Sequence, residues 1–80
     1  MDPIAVTARF EAQGKIVPLS FIWQSRTFRI DSLGRQWQGK DGFHIMAMTP
    51  GNRAHHLLFM PEKGIWYLVR GDDTPTIPII

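Results

Sequence analysis

The chain contains no cysteine. That excludes a disulfide framework, a thiol nucleophile and a Cys-ligated zinc, and it fits a cytosolic chain. No apolar run approaches the roughly 18 residues that span a bilayer. The opening MDPIAVTARF lacks a signal-peptide pattern, so no membrane partner is expected and the expected location is cytoplasmic. Charge is sparse, with nine Lys/Arg against seven Asp/Glu and a net charge of +2. A dedicated nucleic-acid binder carries a denser basic stripe. Helical periodicity is missing too: no segment repeats apolar residues at i, i+3, i+4 and i+7 over three turns. Internal repeats and low-complexity tracts are absent.

What is present is an 80-residue chain, 44 % hydrophobic and 20 % charged, which is ordinary globular usage. It has room for one domain. Residues 1–73 read as a single β domain and residues 74–80 as an extended apolar tail. Folding at this length buries only about 60–65 % of the surface that the unfolded chain exposes. Small domains make up the shortfall with disulfides, metals or oligomerisation. The first is excluded here, which favours the last.

The apolar pattern has period two almost throughout, the signature of half-buried strands. Ile4, Val6, Ala8 and Phe10 share one face of the first segment, and Gln13-Gly14 reads as a turn. Val17, Leu19, Phe21 and Trp23 alternate with Pro18, Ser20, Ile22 and Gln24. Pro18 cannot donate to a ladder, so it belongs at an edge position or a bulge. A two-residue loop at Ser25-Arg26 pairs Trp23 with Phe28 and Phe21 with Ile30, gathering all four on one face. In residues 31 to 42, Asp31-Ser32 could cap a helical turn, whereas Arg35 to Gln38 read as a strand leading into Gly39-Lys40-Asp41-Gly42. Two hairpins follow. Phe43 to Thr49 meets Arg53 to Met60 across Pro50-Gly51, a pair suited to a type II turn or part of a longer loop with Asn52. Met60 then leads through Pro61-Glu62-Lys63-Gly64 into Ile65 to Arg70. The expected fold is all-β: a small antiparallel meander of five to seven strands, curled into a barrel or a strongly bent sheet.

The spacing Phe21-x-Trp23-x-x-Arg26-x-Phe28-x-Ile30, followed by Gly64-x-Trp66-x-Leu68-x-Arg70, resembles a small bacterial family of domains of unknown function. Its members read F-x-W-x-G-R-x-Y-x-V, then a Trp, then a hairpin ending in G-x-W-x-L. The similarity covers residues 17 to 70. Ser25 stands where the family has Gly, and Phe28 where it prefers Tyr. Met46, Met48, His55 and Leu57 replace a more polar hairpin. These motifs are aromatic scaffold positions, so the resemblance implies a bacterial-type all-β domain and carries over no site residue.

Chemistry-bearing residues are few. With Pro50-Gly51 as a two-residue turn, His44 and His55 share one face of their hairpin and His56 points to the other. Two imidazoles fall short of the three or four ligands zinc requires, and no Asp or Glu lies between Asp41 and Glu62. No metal and no other cofactor is expected, and the histidines read as hydrogen-bonded or solvent-facing. Ser20, Ser25 and Ser32 sit in no nucleophile elbow, and Gly34, Gly39 and Gly42 match no phosphate loop. Catalysis is therefore not expected.

Two binding surfaces remain. Between Arg26 and Arg53 five bases meet only two carboxylates, and Arg29, Arg35, Trp37, Lys40 and Arg53 form the candidate nucleic-acid group, because small barrels bind single strands with aromatic rings flanked by bases. The stronger signal lies in the last two hairpins, which are apolar on both faces. The two-residue turn places Met46, Met48, Leu57, Phe59, Trp66 and Leu68 on one side. Phe43, Ile45, Leu58, Met60, Ile65, Tyr67 and Val69 then fall on the other. A sheet with one wetted face alternates apolar with polar. The expectation is a protein-interaction module, a homodimer or a partner of another protein. Its candidate interface is Ile45, Leu58, Met60, Ile65, Tyr67 and Val69, with Ile77, Ile79 and Ile80 of the tail as a covering strap. Nucleic-acid binding is the alternative.

Overall fold

A computed structural model describes residues 1–70. Seven strands make up its regular structure: β1 (Asp2–Phe10), β2 (Ile16–Trp23), β3 (Arg26–Arg29), β4 (Ser32–Gln38), β5 (Phe43–Thr49), β6 (Arg53–Met60) and β7 (Ile65–Val69). All pair antiparallel in the order β3-β2-β1-β7-β6-β5-β4. Among the described residues no helix is long and apolar enough to cross a membrane. The tail residues Ile77, Ile79 and Ile80, with their expected strap role, lie outside the described residues.

The order explains the curl. β1 is shared between two wings: Asp2 to Ile4 pair with β7, and Ala5 to Phe10 pair with β2. The two outermost strands, β3 and β4, are consecutive in the chain. Only Ile30 and Asp31 join them, and these bond back to opposite wings, Ile30 N–H to the Leu19 carbonyl (3.0 Å) and Asp31 N–H to the Met48 carbonyl (2.8 Å). So short a link forces the two ends of the sheet toward each other. The result is a strongly curled half-barrel.

Its hollow is the core. Phe21, Ile45, Ala47, Leu57, Phe59, Trp66 and Leu68 fill it, packed by Ile4, Val6, Ala8, Trp23, Phe28 and Ile30 from the other wing. Phe21 is 1 % exposed and stacks on Phe28 at 5.1 Å and 10°. Gly42, in the β4–β5 turn, passes so close to the Phe59 carbonyl oxygen that a Cβ there would collide with backbone.

Three expectations are corrected by register. The β2–β3 loop is Gln24-Ser25, which pairs Phe21 with Phe28 and Trp23 with Arg26. Both loop residues take positive φ, 50° and 63°, as a tight primed turn demands. This two-residue displacement leaves the faces unchanged. In β2 the bulge expected of Pro18 is present, so that Thr7 faces Ser20 and Ala8 faces Pro18, and it breaks the expected alternation of Leu19 with Pro18. Leu19 is left unpaired and exposed, while Pro18 is buried. The third correction matters most. The β5–β6 loop has three residues, Pro50, Gly51 and Asn52, so that Thr49 pairs with Arg53 and Ile45 with Leu57. Gly51 (88°) and Asn52 (58°) both hold positive φ there. One added loop residue turns β5 over. Ile45 therefore belongs to the core, at 0 % exposure, and not to an outer interface. Met46 and Met48 face outward in its place.

Candidate binding surfaces

The outer face of the sheet carries a polar cluster at one side and an apolar field beside it. Pairing sets Trp37 across from His44, and Met46 across from His56. The Trp37 and His44 rings stack at 4.9 Å and 4°, with the Arg35 guanidinium 5.3 Å from the indole. His44 Nε2 lies 2.8 Å from Asp41 Oδ1, and His44 Nδ1 lies 2.8 Å from His56 Nε2. An ionised carboxylate can only accept, so Nε2 of His44 carries the proton. Between His44 Nδ1 and His56 Nε2 one ring donates and the other accepts, according to their tautomers.

The hydrogen bond from His44 holds the Asp41 carboxyl below its ordinary range. Burial pushes His56 down and neighbouring His44 adds to that, while Asp41 offsets part of it. The two hydrogen bonds engage three of the four ring nitrogens of this pair. Among the described residues no three His, Cys, Asp or Glu are grouped to hold a metal ion.

His44 and His55 thus do not share a face; His44 and His56 do, because of the turned β5. The longer of the two turns that the sequence allowed is the one formed, because Asn52 tolerates left-handed backbone and lengthens the Pro-Gly turn by one. The link from Asp41 to His44 comes from the tight β4–β5 turn, closed by Gly39 N–H to the Gly42 carbonyl at 2.8 Å.

Beside this cluster, Met46, Leu58, Met60, Ile65, Tyr67 and Val69 spread across β5, β6 and β7 on the same outer face. Leu58 is at its centre, but at 0 % exposure it is already covered within its own chain, so this expected interface residue, like Ile45, presents no surface to a partner. Met46, Met60, Tyr67 and Val69 are half-buried, and Ile65 is exposed at the rim.

A second surface lies at the end of the half-barrel where the β2–β3 hairpin meets the β5–β6 turn. It is an open cleft of about 820 Å³. Trp23, Phe28 and His55 line it together with the arginines Arg26, Arg29 and Arg53. The His55 ring packs on Phe21 (5.2 Å) and Phe28 (5.5 Å), and its Nε2 lies 3.1 Å from the Thr49 hydroxyl. Burial pushes His55 below its ordinary pKa, with Arg53 adding to the effect.

The candidate nucleic-acid residues do not form one group. Arg29 and Arg53 meet in this cleft. Arg35 and Trp37 belong with His44 on the outer face, and Lys40 lines a separate hollow with Asp41, Glu62 and Lys63. Sequence reasoning missed Arg26, Trp23 and Phe28 as cleft residues, since nothing local shows that β3 and the β5–β6 turn adjoin. No family model, no curated protein and no solved structure matches the chain.

Proposed function

We propose that the chain is a non-catalytic binding module whose working surface is the outer face of β5, β6 and β7, and that a second copy of itself occupies that face. One observation supports this reading. The alternation that seats Leu57, Phe59, Trp66 and Leu68 in the core leaves Met46, Leu58, Met60, Tyr67 and Val69 together on the other side. An antiparallel sheet ordinarily presents polar side chains there. A two-fold pairing matches such a patch with itself, so no second surface has to be built. Removing even about 400 Å² of apolar surface from water contributes on the order of 10 kcal/mol at about 25 cal/mol per Å². Association costs of roughly 4–15 kcal/mol are set against that.

Sedimentation equilibrium on the full chain, from micromolar to millimolar, tests the reading. The expected mass rises from 9.2 kDa toward twice that value. Met46→Glu and Val69→Lys each hold the chain monomeric with an unchanged far-ultraviolet dichroism spectrum. A wild-type chain that stays monomeric throughout contradicts the proposal, as does a dimer indifferent to both substitutions.

A further inference from the structure

We infer that the cleft between the β2–β3 hairpin and the β5–β6 turn binds single-stranded nucleic acid. This site is separate from the outer face, and its occupancy does not depend on self-association.

The cleft is basic. Arg26, Arg29 and Arg53 all line the cleft and are all exposed, and no lining residue is acidic. Arg29 lies beside one carboxylate, Asp31, with its Nε 3.9 Å from Asp31 Oδ1. The Arg29 side chain is 80 % exposed, and a long, solvated pair of this kind holds its arginine weakly. Three guanidiniums in one open cleft are suited to successive phosphates, each of which can accept paired N–H donors. Most of the basic excess noted in the middle of the sequence is spent here.

Its floor is aromatic. Three rings sit among the arginines: Trp23, Phe28 and His55. Phe28 is braced from below by Phe21, and the Arg26 guanidinium lies 5.2 Å from the Phe28 ring centre. An arginine held over a ring offers its own planar face to a base. His55 is kept neutral at ordinary pH by burial and by Arg53, so it contributes a flat ring without a charge that must be desolvated. Stacking on such platforms is worth about 1–3 kcal/mol per base. An acidic peptide would use the arginines and leave the rings idle. A duplex keeps its bases stacked on one another and would do the same. Only an unpaired strand engages both sets of groups. The cleft volume of about 820 Å³ lies within the roughly 300–1,000 Å³ range of ligand-holding clefts.

Fluorescence anisotropy with the full chain tests this, using labelled oligothymidylate, a duplex and an abasic strand, all of equal length. Oligothymidylate is expected to bind with an affinity that falls steeply as salt rises. Arg26→Ala, Arg29→Ala and Arg53→Ala each reduce the log–log salt slope by about 0.7. The duplex and the abasic strand bind roughly tenfold or more weakly, the loss of at least one stacked base. Trp23→Leu weakens oligothymidylate binding and leaves the salt slope unchanged. Arg35→Ala, away from the cleft, changes nothing. The abasic arm tests stacking on the wild-type chain, so the result stands even where Trp23→Leu does not fold. Three results overturn the inference: no binding at low salt, equal binding of the abasic strand or duplex, or a loss with Arg35→Ala matching that with Arg53→Ala.

Discussion

Burial works against protonation at His55 and His56. Both rings have pKa values below the ordinary 6.5, His55 through desolvation and then Arg53, His56 through desolvation and then His44. The unfolded chain therefore takes up protons at a higher pH than the folded one, and stability falls as pH drops below about 6.5. Asp41 acts in a separate, lower window. Its depressed carboxyl contributes stability above the ordinary carboxylate range, and that contribution is lost as pH falls through its folded value. Thermal melts followed by dichroism are expected to give a constant midpoint from about pH 7 to 8 and a falling one from about 6.5 downward. His55→Gln flattens part of the decline. A midpoint that holds or rises between pH 7 and 5 contradicts this account. The histidines were legible as residues, but their partners were not, because each partner lies on another strand or across a turn.

Elements were the most legible level, and their errors follow one rule. Most strands announce themselves by alternation, whereas β4 (Ser32–Gln38) lies in the stretch where Asp31-Ser32 could equally cap a helical turn. Pro61 to Gly64 is the loop between β6 and β7, as its composition suggests. Loops alone hid the register. At β2–β3 neither Gln24 nor Ser25 is the Asn or Gly a primed turn favours, yet both hold positive φ. The two-residue error this caused left Phe21, Trp23, Phe28 and Ile30 on their common side. At β5–β6 a single residue, Asn52, turned over Ile45, Met46 and Met48. Replacing Gln24-Ser25 with Asn-Gly removes left-handed strain of about 1 kcal/mol or more. A gain of that size raises the melting midpoint of a domain in this size range by about 4–8 °C. Urea or thermal denaturation checks it, and an unchanged or lower midpoint would show that the turn is not strained.

At the scale of the molecule, the chain closes on itself. β1 pairs with β7, so residues 2 to 4 must find residues 66 to 68, and among the described residues β1 is also the only strand that joins the two wings. Contacts of such long sequence separation demand loop closure before they contribute any stability. Refolding in stopped flow is expected on the millisecond-to-second scale typical of small all-β domains; microsecond refolding would require a structure dominated by local contacts.

The order of side chains alone dictated strands in place of helices, most turn positions, and a pair of late hairpins rich in apolar side chains on both faces. Those properties depend on neighbours one or two residues apart, where the pleat and the preferences of Pro, Gly and Asn operate. Which of those apolar side chains fill the core, which histidines touch, and which arginines share a cleft were settled by packing. A half-barrel brings Arg26 and Arg53 to one rim through strand order and curl, and a sheet face changes hands with one residue of loop length. Neither is encoded in any short stretch of the chain.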